Sequence, residues 1–152
     1  MSLYIPKDVS YREKVSESFS RQEVMKTIGV SIVSIELGQV ELVFKHDTKL
    51  TQQHGFIHAG IITTVLDSAC GYAAFSLMPE DSSVLTIEFK TNLLSPAMGE
   101  KYLAVGRVKK PGKTITVCDG ELFAFLDDQK KLIATMTCTL MTLSNKERGI
   151  KG

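Results

Sequence analysis

The sequence predicts an α+β fold in which a curved antiparallel sheet of about six strands wraps around one long central helix. Residues 54–78 contain a single formally charged side chain, that of Asp67, so a helix in this stretch must be covered on most of its sides. Four strand-like runs, separated by short turn signals, follow this stretch, and two more precede it. A sheet built from these runs provides the cover that the helix needs.

The first 29 residues predict a helical segment ahead of the sheet. Residues 11–26 mix polar and apolar side chains, and the apolar ones are spaced loosely as one face of a helix. Ser20 followed by Glu23 is the pattern of a capping box, so we expect the helix to break near Ser20 and to start again. We expect Gly29 to end the segment, because glycine readily takes the left-handed conformation that often follows a helix.

Six strands are predicted, two before the central helix and four after it. Residues 30–37 and 40–46 form a hairpin whose short loop contains Gly38 and Gln39. The four later runs span residues 84–93, 101–109, 114–126 and 132–143. The last run alternates apolar residues with threonines, as in an antiparallel strand with one face on the helix and one more polar face. Residues 144–152 form a charged tail that we expect to fray.

The central helix is predicted over about residues 58–76. At 100° per residue, its apolar side chains fall within about 80° of arc, which is the width of a stripe that faces a core. This stripe consists of Ile62, Leu66, Ala69, Ala73 and Leu77. The opposite face carries Asp67 among small residues, namely Gly60, Thr63, Thr64, Gly71 and Ala74. Because this second face lacks the Lys and Glu of a solvated helix, we expect a second subunit to cover it.

Composition excludes several classes of function. The 152 residues, of which 43% are hydrophobic, suit a single domain spanning residues 1–152. The 18 basic and 17 acidic residues are dispersed and give a net charge of +1, which argues against nucleic-acid binding. The chain shows neither a signal segment nor an apolar run of membrane length, so we expect a cytoplasmic protein without a membrane partner. Cys70, Cys118 and Cys138 lack the spacing of a disulfide framework or a zinc site, so we expect reduced core residues and no metal.

The residues at the helix start and Asp67 predict a chemistry of their own. A carbonyl group develops negative charge on its oxygen during attack, so it needs donors aimed at that oxygen and a base or nucleophile on its other side. The unpaired amides of Ala59 or Gly60, at the helix start, are such donors. Asp67 can activate a water as general base or attack the carbonyl to form a mixed anhydride, and the sequence does not separate these roles. Eight residues of helix rise about 12 Å, so two subunits must share one site.

Several motifs around the helix start resemble those of a known family. They are Gln52, the pair His54-Gly55, the tripeptide His58-Ala59-Gly60, Asp67, and then Ala69, Gly71 and Ala73. Together with residues 86–96, they resemble the small acyl-CoA thioesterases of the phenylacetate-pathway (PaaI-like) type, which have the hotdog fold. The similarity of pattern extends over about residues 30–143. The family has Gly where this chain has Ala59, and its acidic residue follows that position by eight, as Asp67 does.

The resemblance implies that the protein hydrolyses an acyl- or aryl-CoA to the free acid and coenzyme A. No separate cofactor is expected, because coenzyme A is part of the substrate. The resemblance also implies two equivalent sites at a homodimer interface, often with two dimers paired into a homotetramer. It implies that Gln52 points its amide at the thioester carbonyl, with Gln53 as the alternative. Some relatives place a hydroxyl that orients the attacking water in the loop that here contains Ser82 and Ser83.

The remaining candidates are assigned to orientation or to substrate binding. We expect His58 to orient the helix start rather than to transfer a proton. His54 and Gly55 lie in the preceding loop, where they either contact the substrate or serve as ordinary loop residues. Lys110 and Lys113 flank a hairpin tip, where they either meet the phosphates of coenzyme A or form a solvated turn.

Two other functions remain open at this point. A hotdog dimer can bind acyl-CoA without hydrolysing it, but such regulators are expected to carry a DNA-binding segment, and the first 29 residues are too short and mixed for one. Hydratases on this fold are expected to place a His beside the acid, and here position 68 is Ser. Hydrolysis is therefore the favoured function.

Overall fold

The computed structural model describes residues 3–145, which form a sheet around one long helix. In chain order the elements are α1 (Tyr11–Ser20), α2 (Glu23–Ile28), β1 (Ser31–Glu36), β2 (Gln39–Lys45), a 3-10 turn (Thr48–Leu50), α3 (Ala59–Phe75), β3 (Ser82–Leu93), β4 (Lys101–Lys110), β5 (Ile115–Leu126) and β6 (Gln129–Ser144). The six strands pair antiparallel in the order β1-β2-β4-β5-β6-β3. Because α3 packs against β2, β3, β4, β5 and β6, the predicted hotdog architecture is confirmed.

The predicted elements are all present, with bounds shifted by at most three residues. Gly29 ends α2 with φ of +82°, as expected for a left-handed helix end. The predicted capping box is wrong, because the Ser20 hydroxyl donates to the carbonyl of Glu17 at 2.7 Å and α2 begins after Gln22 without a side-chain cap. Ser20 therefore closes α1 instead of opening α2. The predicted frayed tail lies largely outside the described residues, although Ser144 itself belongs to β6.

The predicted apolar stripe of α3 faces the core. All its members are buried, namely Ile62, Leu66, Ala69, Ala73 and Leu77. The opposite face is only partly open, because Gly71 and Ala74 are also buried and Gly71 packs near Leu140 of β6. The expectation that a second subunit covers the whole of this face is therefore wrong for its C-terminal half, which the chain's own sheet covers.

The sheet approaches α3 most closely at Gly106 of β4. A Cβ built at this glycine lies 2.3 Å from the carbonyl carbon and oxygen of Ala69 and 2.6 Å from the amide nitrogen of Cys70. These atoms belong to helix backbone, which cannot move aside as a side chain can. Only glycine therefore lets strand and helix meet at this distance.

We expect Gly106→Ala to lower the free energy of unfolding by about 3 kcal/mol or more, because the added methyl must push the helix off the sheet. Urea unfolding measures this loss. The control is Gly120→Ala on β5, whose added Cβ would meet the side chains of Cys70 and Leu66 at 3.0 and 3.2 Å. Since side chains can shift, the control should lose less stability, and equal losses would contradict the proposed backbone contact.

Within residues 3–145, none of the helices combines the length and the apolar character that a membrane crossing requires.

Candidate active site

His58 caps the start of α3 with its own side chain. Its backbone is extended, with φ of −62° and ψ of 139°, and its Nδ1 accepts a hydrogen bond from the Gly60 amide at 2.8 Å. An accepting Nδ1 carries no proton, so the neutral ring has its hydrogen on Nε2. The Gly60 amide is thus occupied within the chain. The Ala59 amide finds no acceptor among residues 3–145, and it is the amide of the helix start left for a ligand.

The loop before α3 fixes the orientation of Gln52. Gly55 turns the chain with φ of +85°, and its amide donates to the Gln52 carbonyl at 3.0 Å. The His54 amide donates to the side-chain oxygen Oε1 of Gln52. Because Oε1 is engaged, the NH₂ end of the Gln52 amide is the part left to donate. His54 itself is exposed.

Gln52 and Ala59 line the same cavity, which we name the helix-start cavity. Its volume is ≈ 380 Å³, and β3 and the segment after it supply one wall. The lining residues are Gln52, Phe56, Ile57, Ala59, Ile62, Leu93, Leu94, Ser95, Pro96 and Ala97. Gln53 is exposed and does not line it, so between the two glutamines the geometry favours Gln52.

Asp67 lies in a second cavity of ≈ 390 Å³, the Asp67 cavity. Its lining residues are Ser18, Arg21, Gln22, Asp67, Ser68, Gly71, Tyr72, Val84, Leu85, Thr86 and Leu140. The Thr86 hydroxyl donates to Oδ1 of Asp67 at 2.7 Å, and the Cys138 thiol lies 3.8 Å from the same oxygen. Oδ2 has no hydrogen-bond partner within residues 3–145. That oxygen is available to accept a proton or to attack a carbon.

Thr86 is the site residue that the sequence reasoning missed. The loop serines expected near the acid are engaged elsewhere, since the Ser82 hydroxyl donates to the Pro79 carbonyl and the Ser83 hydroxyl to Oδ1 of Asn145. Neither serine lines the Asp67 cavity. The hydroxyl beside Asp67 is three residues further along β3. There the pairing register of β3 with β6 shifts between Thr86 and Glu88. Such a bulge changes the direction of nearby side chains, and the alternation of residues along a strand does not predict that change.

The three cysteines pack behind Asp67 as free, buried thiols. The hydrogen bond with Cys138 and burial raise the pKa of the Cys70 thiol well above its usual range. Burial, with the neighbouring Cys138, also raises the pKa of Cys118. The Cys70 and Cys118 thiols therefore stay protonated at neutral pH and are poor nucleophiles.

Lys110 and Lys113 lie outside both cavities. Lys110 ends β4 and is exposed, and Lys113 lines a separate cavity with Lys7 beyond the C-terminal end of α3. The structure therefore does not bring them to Ala59 or Asp67.

The two halves of the predicted site do not meet within one chain. The helix-start cavity and the Asp67 cavity have no lining residue in common. Ala59 and Asp67 are eight residues apart on α3, which is about 12 Å of helix rise. A single carbonyl group cannot contact both groups of the same chain.

Comparison with known proteins identifies the family. The sequence model of the thioesterase superfamily matches residues 54–129, half of the chain. A crystal structure of a thioesterase family protein from Silicibacter pomeroyi is 56% identical, with a TM-score of 0.87, and the match covers 88% of this chain and 98% of that one. A 1,4-dihydroxy-2-naphthoyl-CoA hydrolase from Listeria monocytogenes is 25% identical over 117 residues, 77% of this chain and 93% of that protein.

The fold has a further solved counterpart in the PaaI protein of the E. coli phenylacetic acid degradation operon. Its TM-score is 0.80, with 89% of this chain and 94% of that one covered, and at 18% identity the likeness concerns the fold. Fold, family match and relatives agree with one another. The chain belongs to the thioesterase superfamily, is a thioester hydrolase, and shares the hotdog fold with PaaI.

Proposed function

We propose that the protein hydrolyses acyl-CoA thioesters, with Asp67 carrying the hydrolytic step and the Ala59 amide stabilising the oxyanion. One observation carries this proposal: each cavity presents one reactive group without an internal partner. These groups are the Asp67 carboxylate oxygen Oδ2 and the Ala59 N–H, neither of which has a hydrogen-bond partner among residues 3–145. They are the base or nucleophile and the donor that acyl transfer requires.

Two routes use the same groups. In the first, Asp67 takes a proton from water, the water oxygen bonds to the carbonyl carbon, the C–S bond breaks, and the proton passes to the leaving thiolate. In the second, Oδ2 attacks the carbonyl carbon, the thiolate leaves, and water hydrolyses the resulting mixed anhydride. In both routes the carbonyl oxygen becomes negatively charged. The Ala59 N–H donates a hydrogen bond to this oxygen, and the Gln52 NH₂ is the second donor. Thr86 holds Oδ1, so it positions the carboxylate.

A second subunit completes the site in this proposal, and the exposed edge of β3 is the surface that fits it. β3 lies at the end of the sheet, opposite β1, so one of its backbone edges is unpaired. Its apolar side chains are unusually open: Leu85, Ile87, Phe89 and Leu93 are 53%, 52%, 44% and 55% exposed. A long apolar edge strand of this kind pairs readily with another strand.

Antiparallel pairing of β3 with its symmetry mate would join the two half-sites. Residues 84–86, near the start of β3, form a wall of the Asp67 cavity, and Leu93 at its end forms a wall of the helix-start cavity. In an antiparallel pair about a two-fold axis, the start of one strand lies beside the end of the other. The Asp67 cavity of one subunit then faces the helix-start cavity of its partner. A homodimer with two shared sites follows, and two such dimers can form a homotetramer.

We expect the double variant Ile87→Lys with Phe89→Lys to shift the protein from dimer to monomer and to abolish turnover, because four extra charges would be buried per dimer. Sedimentation velocity measures the mass. The control is Val33→Lys on β1, the other edge strand, where the native valine is 55% exposed and where the assembly should be unaffected. A folded, fully active wild-type monomer would contradict the shared site.

The proposed activity is tested with a panel of acyl-CoA esters and a thiol reagent that reports free coenzyme A. Hydrolysis releases one thiol for each ester consumed. Tight binding without release would instead support the acyl-CoA sensor, and addition of water to an enoyl-CoA without thiol release would support the hydratase. No separate cofactor is part of the proposal, and Lys110 and Lys113 remain candidates for the coenzyme A phosphates.

A further inference from the structure

The Asp67 cavity has one polar end, away from β3. The junction between α1 and α2 supplies Ser18, Arg21 and Gln22 to this end, and α3 supplies Ser68 and Tyr72. The opposite wall, from β3 and β6, is mainly apolar apart from Thr86. The hydrolytic step proposed above uses Asp67 and Thr86 and leaves the polar end unexplained.

A chain of hydrogen bonds orders this polar end. Nε2 of Gln22 donates to the Tyr72 hydroxyl at 3.0 Å, and the Ser68 hydroxyl donates to Oε1 of Gln22 at 3.1 Å. The Ser18 hydroxyl lies 3.3 Å from the Tyr72 hydroxyl. Gln22 is therefore held at both ends of its amide, which fixes the direction of its second N–H. A polar group locked in this way is suited to recognising a ligand.

The polar end is rich in donors. Burial raises the pKa of the Tyr72 hydroxyl, although its hydrogen bonds with Ser18 and Gln22 and the charge of Arg21 oppose this, so the hydroxyl carries its proton at neutral pH. Because it accepts from Gln22, its own proton can point to Ser18 or to a ligand. The nearby Arg21 guanidinium adds positive potential. The polar end therefore favours a ligand oxygen that accepts hydrogen bonds.

The distance to Asp67 fits a short acyl group. Tyr72 follows Asp67 by five positions, which is about 7.5 Å along α3. With the thioester carbonyl beside Asp67, the far end of an acyl chain of about six carbons reaches the polar end. The large, charged nucleotide of coenzyme A does not suit a cavity of ≈ 390 Å³, so the acyl group is the part of the substrate that enters.

We propose that Gln22 and Tyr72 are specificity-determining residues that bind an oxygen substituent at the end of the acyl group remote from the thioester. This inference rests on the proposed acyl-CoA hydrolysis and names its substrate class: acyl groups of moderate length that end in a hydroxyl or a carboxylate. Replacement of that oxygen by hydrogen leaves the donors of Gln22 and Tyr72 unpaired in a partly buried site, which lowers the rate for the plain acyl group.

The test compares three CoA esters of equal chain length: hexanoyl-CoA, 6-hydroxyhexanoyl-CoA and adipoyl-CoA. We expect the wild-type kcat/KM for at least one oxygenated ester to exceed that for hexanoyl-CoA by roughly tenfold or more. The hydroxyl and carboxylate arms show which oxygen is preferred. In Tyr72→Phe and in Gln22→Leu, this ratio should fall towards one. The control Tyr4→Phe removes a hydroxyl that donates to the Val108 carbonyl outside the cavity, and it should keep the wild-type ratio.

Two results would overturn the inference. One is a wild-type enzyme that hydrolyses hexanoyl-CoA at least as fast as both oxygenated esters. The other is a ratio that survives in both Tyr72→Phe and Gln22→Leu, including the case of an equal loss for all three esters, which a merely structural role for the hydrogen-bond chain predicts. Absence of thiol release from all esters of the wider panel would instead overturn the proposed hydrolysis, and this inference with it.

Discussion

Asp67→Asn should lower turnover by about 10²–10⁴-fold while the protein stays folded and still binds acyl-CoA. Asparagine keeps the size of the side chain and can still accept the hydrogen bond from Thr86, which in the native protein is 2.7 Å long. It cannot take a proton from water, and it is a poor nucleophile for a thioester. Thiol release measures turnover, and thermal unfolding on the same preparation measures stability.

A matched control removes a carboxylate elsewhere. Asp119→Asn on β5 breaks the 3.2 Å ion pair with Lys109 and touches neither cavity, so turnover should stay near the wild-type value. If Asp67→Asn lowers the melting temperature but leaves the folded fraction with normal turnover, Asp67 is a structural acid. That pattern would remove Asp67 from the mechanism.

Ala59→Pro should lower turnover by about 10²–10³-fold, which is the usual cost of losing one oxyanion donor. Proline removes the Ala59 N–H and places the Cδ of its ring where the hydrogen was. Ala59 is the first residue of α3, where proline is well tolerated, and His58 already has the extended backbone that a residue before proline needs. The fold should therefore survive the change, as circular dichroism and thermal unfolding can check.

The control for this variant is Ala59→Gly, which keeps the N–H and restores the residue type usual in the family. It should retain most of the turnover, because the proposed role belongs to the backbone. A folded Ala59→Pro protein with wild-type turnover would place the oxyanion donor elsewhere, for example on Gln52.

Most of the fold could be predicted from local patterns. Three predicted features depend only on residues close together in the sequence: the single charge at Asp67, the apolar stripe of α3 and the helix end at Gly29. Each of them is found where the sequence predicts it. The Ser20 capping box failed because a serine hydroxyl can also bond back to its own helix, as it does to Glu17. Sequence spacing alone does not distinguish these two bonds.

The details of the site depend on contacts between distant segments, which periodicity does not report. Thr86 reaches Asp67 because of the bulge in β3, and Gln22 reaches Tyr72 across 50 residues of sequence. Likewise, Gly71 and Ala74 are buried within the chain itself, and Gly71 lies near Leu140 of β6. Predicting these features requires knowledge of how the strands and helices are placed relative to each other.

The central claim, that two subunits share each site, is tested most directly by mixing two inactive proteins. Asp67→Asn chains retain the Ala59 amide, and Ala59→Pro chains retain the Asp67 carboxylate. If the sites are shared, equal mixing and refolding should restore about one quarter of wild-type turnover, because one site in four combines the intact halves. If each subunit acts alone, every site keeps a defect. A mixture that stays as inactive as its two components, with mixed dimers shown to be present, would contradict the shared site.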